Sequence, residues 1–139
     1  MALGAEDFQG VWALRRTIVD RRDGQNGVLQ GQAVFTATDA NHLIYHETGT
    51  LTLEAGATLE ATRRYLWEFS KGEVVVTFAD GRPFHRFVPS GHAAGTDHPC
   101  GADVYKVRYD FTAWPDWIAV WTVTGPRKEY VSTSTYQRR

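Results

Sequence analysis

The sequence has a single cysteine, Cys100, among 139 residues, so no disulfide can form within the chain. That usage favours a reducing compartment. Charge of one sign is also missing: 15 Lys and Arg face 16 Asp and Glu, for a net charge of -1. The basic footprint of a nucleic-acid binder or an anionic-membrane binder is therefore absent. No stretch approaches the ~20 consecutive apolar residues of a membrane-spanning helix. The first eight residues, Met1 to Phe8, lack the basic start and long apolar run of a secretory signal, and a cytoplasmic protein is expected. Helical periodicity is missing too, beyond one turn over residues 3–9.

Aromatic residues are abundant, with five Trp, six Tyr and seven Phe, 13% of the chain. In a small β-protein such residues fill a core or line a cavity. Period-two alternation marks strands over 10–19, 28–37, 42–53, 58–69, 74–79, 84–88, 103–111, 117–124 and 128–137. The third is expected to bend at Gly49. Tight turns join them, including Asp80-Gly81, where glycine accepts positive φ at no steric cost. Residues 89–102 break the pattern and read as the longest loop. The pattern predicts one all-β domain over 1–139, a single antiparallel up-and-down barrel of about eight to ten strands.

Alternation also predicts which side chains point inward. The inward set includes Trp12, Leu14, Arg16 and Ile18, then Leu29, Gly31, Ala33 and Phe35, then Leu43, Tyr45, Glu47 and Leu51. It continues with Leu59, Ala61, Arg63, Tyr65 and Trp67, with Val74, Val76, Phe78 and Asp80, and with Asp103, Tyr105, Val107, Tyr109 and Phe111. The last two strands add Trp117, Ala119, Trp121 and Val123, then Lys128, Tyr130, Ser132, Ser134 and Tyr136. Residues 84–88 are ambiguous, with His85 and Phe87 on one face and Phe84 and Arg86 on the other.

This interior is too polar for a plain core, because a buried charge without a partner costs several kcal/mol. Two readings remain: a structural ion-pair network, for example Arg63 with Glu47, or a pocket. A barrel of this size holds one small ligand. The predicted pocket is lined by Arg16, Tyr45, Glu47, Arg63, Tyr65, Trp67, His85, Tyr105, Trp121 and Tyr130. Arg beside Tyr and Trp suits a small, partly aromatic or anionic molecule.

Two resemblances support the fold. Gly10-Val11-Trp12 near the start of an all-β chain is similar to the Gly-x-Trp signature of the calycins, the lipocalin, fatty-acid-binding and nitrobindin-like barrels. The lipocalin resemblance implies that an Arg late in the chain packs on this Trp, with Arg127 and Arg138 as candidates. Arg64-Tyr-Leu-Trp67, Asp80-Gly-Arg-Pro-Phe-His85, His98-Pro-Cys100-Gly-Ala-Asp103 and Trp121-Thr-Val-Thr-Gly-Pro126 resemble an uncharacterised family, domain of unknown function 6314. That resemblance implies a lipocalin-like barrel and supplies no catalytic residue and no cofactor.

Alternatives to simple ligand binding rest on small clusters. His85 with Asp80 or Asp103 is the candidate acid–base set for an isomerase, dehydratase or cyclase. His85, His92, His98 and Cys100 lie within sixteen residues, yet the spacing is not that of a structural zinc site, and no metal site is predicted. His42, His46, His85 and His98 are the candidates for a haem-binding barrel, which the nitrobindin resemblance implies. Gly125-Pro-Arg127-Lys128 with Arg82 is a candidate anion clamp. The Trp114-Pro-Asp-Trp117 turn is either a structural corner or two exposed indoles at a homodimer contact.

Overall fold

The structure is a computed structural model that describes residues 2–139; Met1 lies outside the described residues. A short helix, α1 (Ala5–Phe8), leads into β1 (Gly10–Asp20), β2 (Gly27–Asp39), β3 (His42–Leu53), β4 (Thr58–Ser70), β5 (Glu73–Phe78) and β6 (Pro83–Phe87). Then come β7 (His92–Ala94), β8 (His98–Cys100), β9 (Asp103–Asp110), β10 (Trp117–Thr124) and β11 (Glu129–Arg138). All pairings are antiparallel, in the order β6-β5-β4-β3-β2-β1-β11-β10-β9-β7, with β8 also on β9. The chain is thus an up-and-down barrel, nearly closed, and its nine longer strands lie where the alternation predicted strands.

The segment read as the longest loop is partly strand. Its β7 and β8 pair with β9 and fill the seam between β6 and β9. The seam is stitched by Gly95 N–H donating to the Val107 carbonyl at 2.9 Å and Thr96 N–H to the Arg86 carbonyl at 3.0 Å. The Arg86 N–H returns a bond to Thr96 Oγ1 at 3.1 Å. Gly95 is required by this close approach: a Cβ there would collide with Val107 and come within 3.3 Å of the His85 ring. Such short strands are invisible to periodicity, because three residues give no repeat to count.

Aromatic packing seals the end of the barrel nearest the N-terminus. Phe8 is fully buried and lies within 5.9 Å, ring to ring, of Phe35, Trp67, Phe69, Phe111, Trp114 and Trp117. The Trp12 indole N–H donates to the Phe8 carbonyl at 2.8 Å. The Arg138 guanidinium lies 4.1 Å from the Trp12 ring centroid and donates to the Gln9 and Asp7 carbonyls. Of the two late arginines, Arg138 therefore takes the closing place, because β11 pairs Arg138 directly with Trp12. The Trp114–Trp117 corner is structural: Trp117 is fully buried and Trp114 packs on Phe8 and Trp12, so the turn does not expose two indoles. Among the described residues, no helix is long and apolar enough to cross a membrane.

Three inward expectations fail. Asp80 is exposed, because it lies in the turn beyond β5 and pairs with Arg82. Leu59 is 55% exposed, because β5 pairs only with Tyr65–Ser70 of β4 and the first half of β4 projects beyond it. Lys128 precedes β11 and is exposed, its Nζ donating to the Tyr105 hydroxyl at 3.2 Å.

Candidate functional site

The other end of the barrel encloses a cavity of about 670 Å³. All ten residues predicted for a pocket line it: Arg16, Tyr45, Glu47, Arg63, Tyr65, Trp67, His85, Tyr105, Trp121 and Tyr130. So do Tyr109 and Tyr136, and every tyrosine of the chain therefore faces one space.

The deep wall carries a closed polar network. Arg16 Nη1 and Nη2 donate to Glu47 Oε2 and Oε1 at 2.7 and 2.9 Å, and Arg16 Nε donates to Ser134 Oγ at 2.7 Å. Tyr45 donates to Glu47 Oε1 at 2.5 Å and, its proton thus engaged, accepts from Tyr136 at 2.8 Å. Tyr136 is stacked on Trp117 at 3.8 Å. The Arg63–Glu47 pair suggested by the sequence is replaced by Arg16–Glu47. Burial opposes both charges, but the bidentate contact outweighs it and holds Glu47 below and Arg16 above their ordinary values. Burial pushes the Tyr45, Tyr109 and Tyr136 hydroxyls up, so these remain protonated donors.

His85 faces inward, settling the ambiguous strand, and is buried. Its Nε2 is 2.8 Å from the Tyr109 hydroxyl, and its Nδ1 has no partner. Burial, with His98 nearby, pushes its pKa down to about 3, so the imidazole is neutral. The predicted acid–base set is not assembled. Asp80 is exposed and paired with Arg82 at 2.8 Å, closing its own turn, and Asp103 lies 3.7 Å from Lys128. His85 bonds a phenol instead.

The remaining clusters also come apart. His92 lies on the outside, 3.9 Å from Asp110, and among the described residues no three potential metal ligands gather. His98 and Cys100 do line the cavity rim. Of the haem candidates, His42 binds Asp39 and Glu68 and His46 binds Thr62, all on exposed surface; His85 and His98 face the cavity. The anion clamp is not formed, since Arg82 bonds Asp80 and Lys128 bonds Tyr105.

Aromatic faces dominate the outer half. Phe84, outside the predicted pocket set, stacks on Trp121 at 5.0 Å and 9° and on Phe78 at 4.5 Å and 23°. Both Phe84 and His85 reach the cavity although they are neighbours, because the register of β6 shifts against β5 between Val76 and Thr77. The sequence signal was present as two aromatic residues flanking a turn, but a bulge cannot be read from alternation.

A family model spans residues 8–138. The chain belongs to the family of unknown function DUF6314. No match to a curated protein sequence was found. Among solved structures, the DUF6314 barrel is similar to a DUF3598-family protein of unknown function from Nostoc punctiforme, with a TM-score of 0.67 and 13% identity. That match covers 99% of this chain but spans only half of the other protein. It is similar to the S-type phycobiliprotein lyase CPES from Guillardia theta, with a TM-score of 0.65 and 11% identity over 97% of this chain and 90% of the lyase. A redesigned β-barrel, mFAP1, bound to DFHBI, matches at a TM-score of 0.50 and 18% identity over 97% of this chain and 98% of that one. At these identities the likeness is one of fold, an antiparallel β-barrel.

Proposed function

We propose that this DUF6314 protein binds a small, largely aromatic molecule inside its barrel. The observation that carries the reading is the cavity of about 670 Å³, lined by all six tyrosines and by Trp67, Trp117 and Trp121. A packed structural core would close such a space, since interiors reach crystal-like density. The deep polar groups bond one another, which fixes the wall in shape before any ligand arrives and lowers the ordering cost of binding. Planar surfaces at the outer half, Phe84 on Trp121 and Phe78, offer stacking faces. Barrels of similar fold include one bound to DFHBI, consistent with such use of the interior.

The neutral aromatic dye N-phenyl-1-naphthylamine tests the reading. Its fluorescence should rise saturably at one dye per chain, with quenching of tryptophan emission. Folded protein that binds neither this dye nor its sulfonated analogue would defeat the reading. Native mass spectrometry of protein purified without denaturation would then identify any molecule retained at the same stoichiometry.

A further inference from the structure

Resting on that reading, we infer that the natural ligand carries an anionic group and that Arg63 receives it at the side opening of the barrel. The formal charges lining the cavity come from Arg16, Arg63, Arg82 and Glu47, with His85 held neutral. Glu47 is bidentate on Arg16, and Arg82 is bonded to Asp80. Arg63 alone of these has no ion-pair partner within 4.0 Å among the described residues.

Its position explains why. Arg63 is opposite Glu47 on β3, so it shares the inward face, and its charge is felt by both Glu47 and Tyr130. Yet it is exposed, because β5 begins pairing only at Tyr65 and leaves this stretch of β4 uncovered. The break in the wall is thus the doorway of the cavity, and Arg63 stands in it with its guanidinium carried on an inward-facing position. The deep end is different. There the charges cancel within the Arg16–Glu47 pair, and an incoming carboxylate or sulfonate would meet Glu47. A flat molecule with one acidic end therefore fits in one direction only, aromatic body among Phe84, Trp121 and Tyr65, acid at Arg63. Carboxylate, sulfonate and phosphate share this chemistry.

Two dyes differing by one sulfonate separate the inference from the reading beneath it: 1-anilinonaphthalene-8-sulfonate and the neutral N-phenyl-1-naphthylamine. On the wild-type chain the sulfonate should bind about tenfold tighter or better, as a charge-assisted contact at a partly exposed site provides. Arg63→Gln should abolish that advantage, so that the two dyes bind with similar affinity, while an unchanged thermal melt reports that the variant is folded; Arg63→Lys should keep part of it. Competition between the dyes places them in one cavity. Equal affinities in the wild type, an advantage that survives in Arg63→Gln, or loss of the neutral dye in that variant would each overturn the inference while the binding reading stands. Failure of both dyes on the wild type would overturn the two together.

Discussion

Arg16 and Glu47 meet inside the barrel at 2.7 and 2.9 Å although they are not cross-strand partners. Through β2, Arg16 is level with Leu29 and Leu51, whereas Glu47 is level with Ala33 and Trp12. The pair therefore crosses β2 diagonally. The inward residue of β2 between these levels, Gly31, and the one at the Glu47 level, Ala33, are small enough to let the side chains pass over the strand. Gly31 faces Gly49 of β3, and a Cβ on Gly31 would collide with the Thr48 carbonyl.

Arg16→Met should destabilise the protein by about 3–5 kcal/mol, since it strands a buried carboxylate. The double variant Arg16→Met with Glu47→Leu should recover most of that loss in urea unfolding. Glu47 titrates below the ordinary carboxylate range in the folded protein, so its contribution is present above that range and is lost as pH falls through the depressed value. The double variant should accordingly lose less stability on acidification than the wild type.

His85 titrates with the opposite group chemistry and the same direction. Folded, its pKa is about 3, against an ordinary 6.5. Below pH 6.5 the unfolded chain takes up a proton that the folded chain refuses, so stability falls between about 6.5 and 3 and is unaffected above. At pH 5 the penalty is about 2 kcal/mol. His85→Gln should flatten that part of the pH–stability curve, measured by thermal unfolding between pH 5 and 8. An unchanged slope would mean that His85 is protonated in the fold.

Arg138→Met should cost about 1–3 kcal/mol, because it removes the cation over Trp12 and the bonds to the Gln9 and Asp7 carbonyls. Amide hydrogen exchange should rise at α1 before it rises at the ladders of β2 and β3. Arg127→Met, a change in an exposed turn, should leave stability within about 0.5 kcal/mol of the wild type.

Ser132→Trp should fill the cavity without breaking a bond of the polar network, since the network uses Ser134 and not Ser132. The variant should melt within a few degrees of the wild type and lose saturable binding of both naphthalene dyes. Retained binding at wild-type affinity would place the dye outside the barrel.

Alternation of side chains along strands is a local property, and the strands of the barrel and the inward sets of β1, β2, β3, β9 and β10 were legible from it. So were nine of the ten cavity residues, His85 excepted, because polarity on an inward face is visible wherever the period is clear. The closing Trp12–Arg138 contact could be narrowed to two arginines, and register chose between them.

What the chain pattern could not decide is everything that depends on distance between strands. Glu47 had Arg63 beside it on the neighbouring strand, yet it bonds Arg16 two strands away, because small residues on β2 open the diagonal and the unpaired half of β4 lets Arg63 remain at the doorway. The facing of His85 and Phe84 required the register shift in β6, and the pairing of β7 and β8 required the seam they fill. A two-residue period says which way a side chain points; only closure of the barrel says what it meets.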